Sequence, residues 1–378
     1  MAIRRRSIKL HKQWGGKLEV RSKAPINNRR DLSVAYTPGV AAVCRAIAKT
    51  PRAAASMTIK KNSVAVITDG SAVLGLGNLG PLPALPVMEG KCILFKKLAN
   101  IDAFPICLDT QDVEEVIATI KHIAPVFGAI NLEDIAAPRC FEIEGRLRSA
   151  LSIPVLHDDQ HGTAVVALAA LINALKVKGE RIQACRIVVC GAGAAGTAIT
   201  NLLVQYGASD VIVVDRHGIL CHGDRRLNKP MAELARHTNR QKQVGKLIDA
   251  LIGADVFIGV SGAAGIVTAP MVRTMNPDPI IFALSNPDPE IDPKVAKNAG
   301  ALIVATGRSD YPNQLNNVLA FPGVFRGALD HQVRTITQAM LLAAAKRLAA
   351  CIHRPTRTRI LPGALDKRVV TAVASAIR

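Results

Sequence analysis

An α/β protein of two domains is the fold class the sequence predicts, with a parallel sheet in the second half covered by helices on both faces. Three observations point there. From Pro154 onward, short β-branched runs alternate with helical stretches. Hydrophobic residues make up 49% and charged residues 20%, a balance that excludes a disordered chain. Aromatics are only 3%, so the core must be aliphatic. The 378 residues allow two or three domains, and the pattern changes character near residues 155–160, where the boundary is placed.

The elements follow in order. Ser63-Val-Ala-Val-Ile-Thr68 reads as a strand ending in Asp69-Gly70, and Ala103-Phe-Pro-Ile-Cys-Leu108 as another ending in Asp109. Between them, Gly75-Leu-Gly77-Asn-Leu-Gly80 is followed by Pro81, Pro83 and Pro86, which argues for a sharp loop and against a regular helix directly after it. After Asp112 a helical pattern begins (Val113, Val116, Ile117, Ile120) with acids in its first turn, as the helix dipole favours. Val126 to Leu132 is a third strand, running into Glu133-Asp134. Pro154-Val-Leu leads to His157-Asp-Asp-Gln-His161, and a helix rich in Ala, Leu and Val spans Thr163 to Leu175. Then come a strand (Arg186 to Cys190), a glycine-rich turn, a helix (Thr197 to Tyr206) and a strand (Val211 to Val214) ending in Asp215. Val256 to Val260, Ile280 to Leu284 and Ala301 to Ala305 are further strands. His331 to Ala350 reads as a helix packing back on the first domain.

Composition also excludes some classes. No run of 18 apolar residues occurs, so no membrane helix is expected, and the basic start, Met1 to Arg6, precedes no apolar stretch of a secretory signal. The net charge of +19 sits at the ends: residues 1–30 hold ten Lys or Arg against one acid, and residues 331–378 nine against one. Two solvated basic ends account for this; apart from Trp14 they lack aromatics that would stack on bases, so nucleic-acid binding is not expected. None of the eight cysteines forms a Cys-x-x-Cys pair and several sit in apolar runs, which predicts buried thiols and a cytoplasmic protein.

Gly191-x-Gly193-x-x-Gly196 carries the strongest local signal, because a strand precedes it, a helix follows and a second strand ends in an acid. Gly191 permits the tight turn, Gly193 lets a pyrophosphate approach the backbone, and Gly196 allows close helix–strand packing. The helix then opens at Ala194 and Ala195, its N-terminus facing the phosphates. Asp215 lies where an acid would take the ribose 2′-hydroxyl, which favours NAD; Arg216 beside it leaves NADP open.

Two acidic pairs invite a metal. Glu133-Asp134 ends one apolar run, and both can reach one ion only if the chain turns there. With Asp159 they make three carboxylates from two loops, a donor set suited to Mg²⁺ or Mn²⁺. His157-Asp-Asp-Gln-His161 imitates the zinc-protease pattern, but its acid is Asp158 and it lies at a helix entrance. Lys91 and Tyr36 are single residues to which composition assigns no chemistry; Tyr36-Thr-Pro-Gly39 reads as a tight turn that presents the phenol.

Together these segments resemble the malic enzyme family, in particular its short bacterial type. The carriers are Leu32 to Gly39, Thr68-Asp-Gly-Ser-Ala-Val-Leu-Gly-Leu-Gly77, Pro86-Val-Met-Glu-Gly-Lys91, Asn131-Leu-Glu-Asp134 and His157 to Thr163. The fingerprint turn, Leu284-Ser-Asn-Pro287 and Asn316-Asn-Val-Leu-Ala-Phe-Pro-Gly323 follow in the family's order. The resemblance implies a malic (substrate and dimerisation) domain over residues 1–157. An NAD(P)-binding Rossmann-type domain with a C-terminal helix would span 158–378. It implies oxidative decarboxylation of L-malate to pyruvate and CO₂ in a homodimer, with sites that can be built across the interface. Glu133, Asp134 and Asp159 fall at the family's metal carboxylates, with Asp158 beside them. Lys91 falls at the lysine that takes the C2 hydroxyl proton, its pKa depressed by burial beside a cation. Tyr36 falls at the tyrosine that protonates the enol carbon, and Asn286 and Asn317 at the asparagines holding malate's carboxylates.

Ala72 stands where eukaryotic members carry a carboxylate-gripping arginine, so main-chain amides and asparagine are expected to take that role. Asn78 replaces a common Asp. Three alternatives stay beside this reading: malolactic chemistry releasing lactate, a zinc hydrolase built on His157 and His161, and a basic nucleotide-sensing protein binding nucleic acid through its ends.

Overall fold

Two parallel sheets, each flanked by helices, organise the computed structural model, which describes residues 2–378; Met1, the first residue of the basic start, lies outside them. The first sheet has the order β2-β1-β3-β4, all parallel, from β1 (Ser63–Thr68), β2 (Asp102–Cys107), β3 (Ala129–Leu132) and β4 (Val155–His157). Every residue of β1 is buried, which is why it reads as a continuous apolar run rather than an alternation. Helices α5 (Pro81–Ala99), α6 (Val113–Ile123) and α7 (Arg139–Ala150) cover this sheet.

Ahead of it lies an arm of α1 (Ala2–Trp14), α2 (Arg29–Ala35), α3 (Val40–Lys49) and α4 (Ala54–Met57). None of α2, α3 or α4 contains a buried residue, and Ile3, Trp14, Val20, Ile26 and Val34 of the arm are exposed.

The second sheet has the order β10-β9-β8-β5-β6-β7. Its strands are β5 (Arg186–Cys190), β6 (Asp210–Asp215), β7 (Gly218–Ile219), β8 (Val256–Gly259), β9 (Ile280–Ala283) and β10 (Ile303–Thr306). All pair in parallel except β7, a short hairpin partner of β6. The chain leaves β5 to form β6 on one side and returns to form β8 on the other. That reversal creates the crevice at the strands' carboxyl ends where α/β sheets bind ligands. Helices α9 (Ala194–Tyr206), α10 (Lys229–His237), α11 (Leu247–Leu251), α12 (Ala269–Arg273) and α13 (Pro293–Asn298) accompany these strands.

Between the sheets runs α8 (Asp158–Lys178), longer at both ends than its Ala- and Leu-rich stretch predicts. At 21 residues it is long and apolar enough to cross a membrane, but 83% of its apolar window is buried inside the protein. One aliphatic core includes Val64 and Val66 of β1, Val165 to Leu171 of α8, and Ile187 and Val189 of β5. Three closing helices, α14 (Phe321–Asp330), α15 (Gln338–Ala350) and α16 (Lys367–Ala374), join the same core.

Two expectations need correction. A regular helix does follow Gly80 directly: α5 begins at Pro81. Pro81 and Pro83 sit in the first turn, where N–H groups have no intrahelical partner to lose, and only Pro86 lies deeper. The C-terminal helix starts at Gln338 rather than His331, because the Thr337 side chain accepts from Met340 N and sets its beginning. It packs on α8 and α16; the contact with α5 comes from α14 and α16 instead. Phe95 of α5 meets Phe321 and Phe325 of α14 edge-on, at 4.7 and 5.3 Å between ring centroids.

That aromatic trio joins the first sheet's helix to the closing helices. Phe95→Ala is expected to destabilise the protein by about 3–5 kcal/mol, the usual cost of a buried aromatic truncation. A denaturant midpoint unchanged from wild type would contradict this.

Candidate active site

In a parallel sheet every strand delivers its carboxyl end to the same edge, so whatever follows β1, β3 and β4 is gathered there. Asp69 follows β1, Glu133 and Asp134 follow β3, and Asp158 and Asp159 follow β4. Lys91 enters from the buried face of α5, 7% exposed, with Nζ 2.5 Å from Asp158 Oδ2 and 2.8 Å from Glu133 Oε1. Its ammonium lies 4.1 Å from the centroid of the Phe321 ring.

The chain does turn between the paired acids: Asp134 has φ +51, and its N–H donates to Asp159 Oδ2 at 2.8 Å. One carboxylate oxygen from each of Glu133, Asp134 and Asp159 lies within 4.8 Å of the others, a group that could hold a metal ion. Asn131 Nδ2 donates to Glu133 Oε2 at 3.0 Å and orients it.

Burial pushes the carboxyl of Asp134 up, and the neighbouring Asp159 and Glu133 push it further. Burial also raises Glu133 and Asp159, against the pull of Lys91. Asp158 is raised by burial to about 7 despite the adjacent ammonium. Asp134 Oδ2 and Asp158 Oδ1 are buried without a hydrogen-bond partner. Hard, crowded and under-satisfied oxygens are a donor set that fits Mg²⁺ or Mn²⁺. Lys91 departs from expectation. Burial pulls its pKa down, but Asp158, Glu133 and Asp159 together outweigh burial and hold it above an ordinary lysine.

Glu144 of α7 is a site residue the sequence reading missed. It is buried and accepts from the His157 main-chain N–H at 3.0 Å and from Gln160 Nε2 at 3.2 Å. It also pairs with His161 Nε2 at 3.0 Å. The signal was present: Glu144 occupies the buried stripe Cys140, Ile143, Leu147 of its helix, where an acid has no business without partners. Glu144 thus binds His161 through Nε2 alone, and the zinc reading of the two histidines finds no further donor gathered with them. Among the described residues, the one group of three clustered metal donors contains no histidine. His157 is fully buried, and burial lowers its pKa to about 4, so it is neutral.

The loop after β1 wraps this cluster. Ala72 N donates to the Asp134 carbonyl at 2.9 Å, and Leu74 N to Asp134 Oδ1 at 3.3 Å. Val73 N is taken by the Gly77 carbonyl. The main-chain amides of Ala72, Val73 and Leu74 are therefore engaged within the protein. The same loop reaches the second sheet: a Cβ added at Gly75 would lie 1.7 Å from the Asn286 carbonyl oxygen. Asn317 comes close as well, its Cβ 3.3 Å from where a Cβ on Gly162 would stand, beside Asp158. Tyr36 does not join the cluster. It follows α2 on the arm and is 65% exposed.

The glycine-rich turn has the geometry its spacing predicts. Gly191 has φ +115, and a Cβ there would meet the Val260 carbonyl oxygen at 2.6 Å. A Cβ on Gly196 would fall 1.7 Å from the Gly191 carbonyl oxygen, whereas one on Gly193 meets nothing within 4 Å. Ala194 and Ala195 open α9, whose N-terminus points into the crevice between β5 and β8. Asp215 ends β6; its Oδ1 accepts from His217 N at 2.7 Å and Gly218 N at 3.1 Å, which shapes the turn into β7.

Both halves of the chain resemble known proteins. The sequence profile of the malic enzyme N-terminal domain matches residues 15–148, and that of the malic enzyme NAD binding domain matches 160–377. The chain is 55% identical to the NAD-dependent malic enzyme of Geobacillus stearothermophilus over 365 residues, covering 96% of this chain and 76% of that one. It is 50% identical to the bifunctional malic/malolactic enzyme of Bacillus subtilis over 380 residues, covering 100% and 92%. A solved NAD-dependent malic enzyme from Thermotoga maritima superposes with a TM-score of 0.95 at 49% identity, covering 98% of both chains.

The two inner glycines should separate on substitution. Gly196→Ala is expected to lower the melting temperature and dinucleotide affinity together. Gly193→Ala should leave melting unchanged and weaken affinity about tenfold or more in a fluorescence titration, because its added methyl meets only the ligand.

Proposed function

The chain belongs to the malic enzyme family, and on that footing we propose that it oxidatively decarboxylates L-malate to pyruvate and CO₂ with reduction of NAD(P). One observation carries the reading. A buried lysine and clustered carboxylates share one sheet edge, with Asn286 of the dinucleotide sheet brought against the loop that holds Asp134.

Glu133, Asp134 and Asp159 would hold the divalent cation, Mg²⁺ or Mn²⁺, and Asp134 Oδ2 has no hydrogen-bond partner of its own. When bound, such a cation polarises the C2 oxygen and favours the electron shift that releases CO₂. Lys91 takes the C2 hydroxyl proton. It must first lose its own, and Asp158, at 2.5 Å with one oxygen unpartnered, is the neighbour placed to accept it. Glu133, shared with a cation, would favour the ammonium less, which would lower the lysine pKa from its raised value. Asn286 and Asn317 hold malate's carboxylates, and Asn286 also borders the cofactor. NAD is the favoured cofactor, because the Asp215 carboxylate repels a 2′-phosphate; Arg216 beside it leaves room for NADP.

Tyr36 supplies the proton for the enol carbon, and we assign it to a homodimer in which each arm serves the partner's site. The arm's exposed apolar residues and the absence of a buried residue in α2 and α3 support a second copy as its cover. The eight free cysteines suit a reducing, cytoplasmic setting, and the basic ends receive no nucleic-acid role. A second reading, malolactic conversion with lactate as product, is favoured by the Bacillus subtilis relative, a bifunctional malic/malolactic enzyme.

Purified protein given malate, Mn²⁺ and NAD is expected to yield NADH and pyruvate; lactate without free NADH would favour the second reading. Lys91→Ala should lose about 10²–10⁴-fold in turnover while dinucleotide affinity persists. Refolding a mixture of Tyr36→Phe and Lys91→Ala chains should restore activity, since hybrid dimers then contain one intact shared site. A mixture no more active than its parents would place Tyr36 and Lys91 in the same subunit's site.

A further inference from the structure

We infer that Glu290 is a positioning residue for the reaction: it ties together the loops leaving β8 and β9 and thereby fixes Asn286. This rests on the assignment of Asn286 to malate made above. Glu290 is fully buried, four residues after Asn286. Its Oε1 accepts from Ser261 N at 3.0 Å, Ser261 Oγ at 3.1 Å and Ser285 Oγ at 2.5 Å. Its Oε2 accepts from Ser285 N at 3.2 Å.

Both serine hydroxyls spend their single proton on this carboxylate. Their oxygens then accept main-chain donors, Gly262 N at 2.8 Å for Ser285 and Ala263 N at 3.2 Å for Ser261. One carboxylate therefore sets the polarity of a network that covers the ends of two adjacent strands. The group also lies flat on the end of β8: a Cβ at Gly259 would stand 2.4 Å from Glu290 Cδ. Val260, the next residue, presents the carbonyl against which the Gly191 turn packs.

Asn286 directly follows Ser285, so the clasp ends at the residue that faces substrate. Asn286 is exposed, and its place is set by its surroundings. Its carbonyl lies against Gly75, and its side-chain Nδ2 lies 2.5 Å from where a Cβ on Gly307 would stand. Held from Gly75 on one side and Gly307 on another, it has its remaining freedom removed by the Ser285–Glu290 bonds.

A glutamine at 290 keeps the shape but replaces one acceptor with a donor, so in either orientation of the amide at least one main-chain N–H faces another N–H. Asn286 should then shift, and malate binding should suffer before the fold does.

The test is a double-mutant cycle on the full-length protein with malate, Mn²⁺ and NAD, reading malate KM, kcat and melting temperature. Glu290→Gln is expected to raise malate KM about tenfold, the scale of a lost hydrogen bond to a charged group. In an Asn286→Ala background the same change should alter KM less than about twofold, because residues acting through one another are not additive. Ser285→Ala removes one hydroxyl from the same network and should show the same dependence on Asn286 at about threefold, even where Glu290→Gln fails to fold. Equal fold-changes in both backgrounds, or a lowered melting temperature with malate KM unchanged, would overturn the role of Glu290. Asn286→Ala without effect on malate KM would instead overturn the assignment of Asn286, and the positioning role with it.

Discussion

The structure depends on one arrangement: an ammonium, Lys91, held in a dry place between the carboxylates Asp158 and Glu133. Neither sign could be buried there alone, because an isolated ion taken out of water carries a penalty that only partners offset. The partners come from a helix and two strands. The parallel sheet has to close, α5 has to dock, and the chain has to turn at Asp134 before the charges meet. Around Lys91 the acids outnumber the base, and that surplus leaves oxygens under-satisfied and ready for a hard cation.

Much of this was legible in the residues. Strands buried on both faces announce themselves as apolar runs, and the loops of chemical interest begin where those runs end in Asp or Glu. The turn at Gly191 is legible because the chemistry of a close approach leaves no other residue type possible there. The cation cluster was legible only in part. Spacing offered Glu133, Asp134 and Asp159 as candidates, but their meeting depends on a positive φ at Asp134 that a sequence does not display.

What escaped reading has physical causes. The prolines at 81 and 83 break helices in general but cost little in a first turn, so the start of α5 was hidden behind a rule applied one turn too early, although its lysine was not. Glu144 and Glu290 were passed over because single acids in a basic chain look like solvated surface. Burial distinguishes them, and burial is a property of neighbours far along the chain: β4 and α8 for Glu144, β8 and β9 for Glu290. Tyr36 is the converse. Its segment matches a family pattern closely, yet the single chain leaves it in the open.

The helix α8 changes how the word domain applies to this chain. Sequence profiles divide the protein near its first turn, and the two sheets respect that division. The aliphatic core does not: it runs from β1 through α8 to β5 and takes in the three closing helices. Asn173, deep in α8, spends both amide protons on carbonyls of Ala349 and Ile360 near the chain's end. The two lobes are therefore separate as catalytic parts and single as a cooperative unit. A gene cut at the boundary would hand each half an uncovered greasy wall, since both lobes draw on that one core.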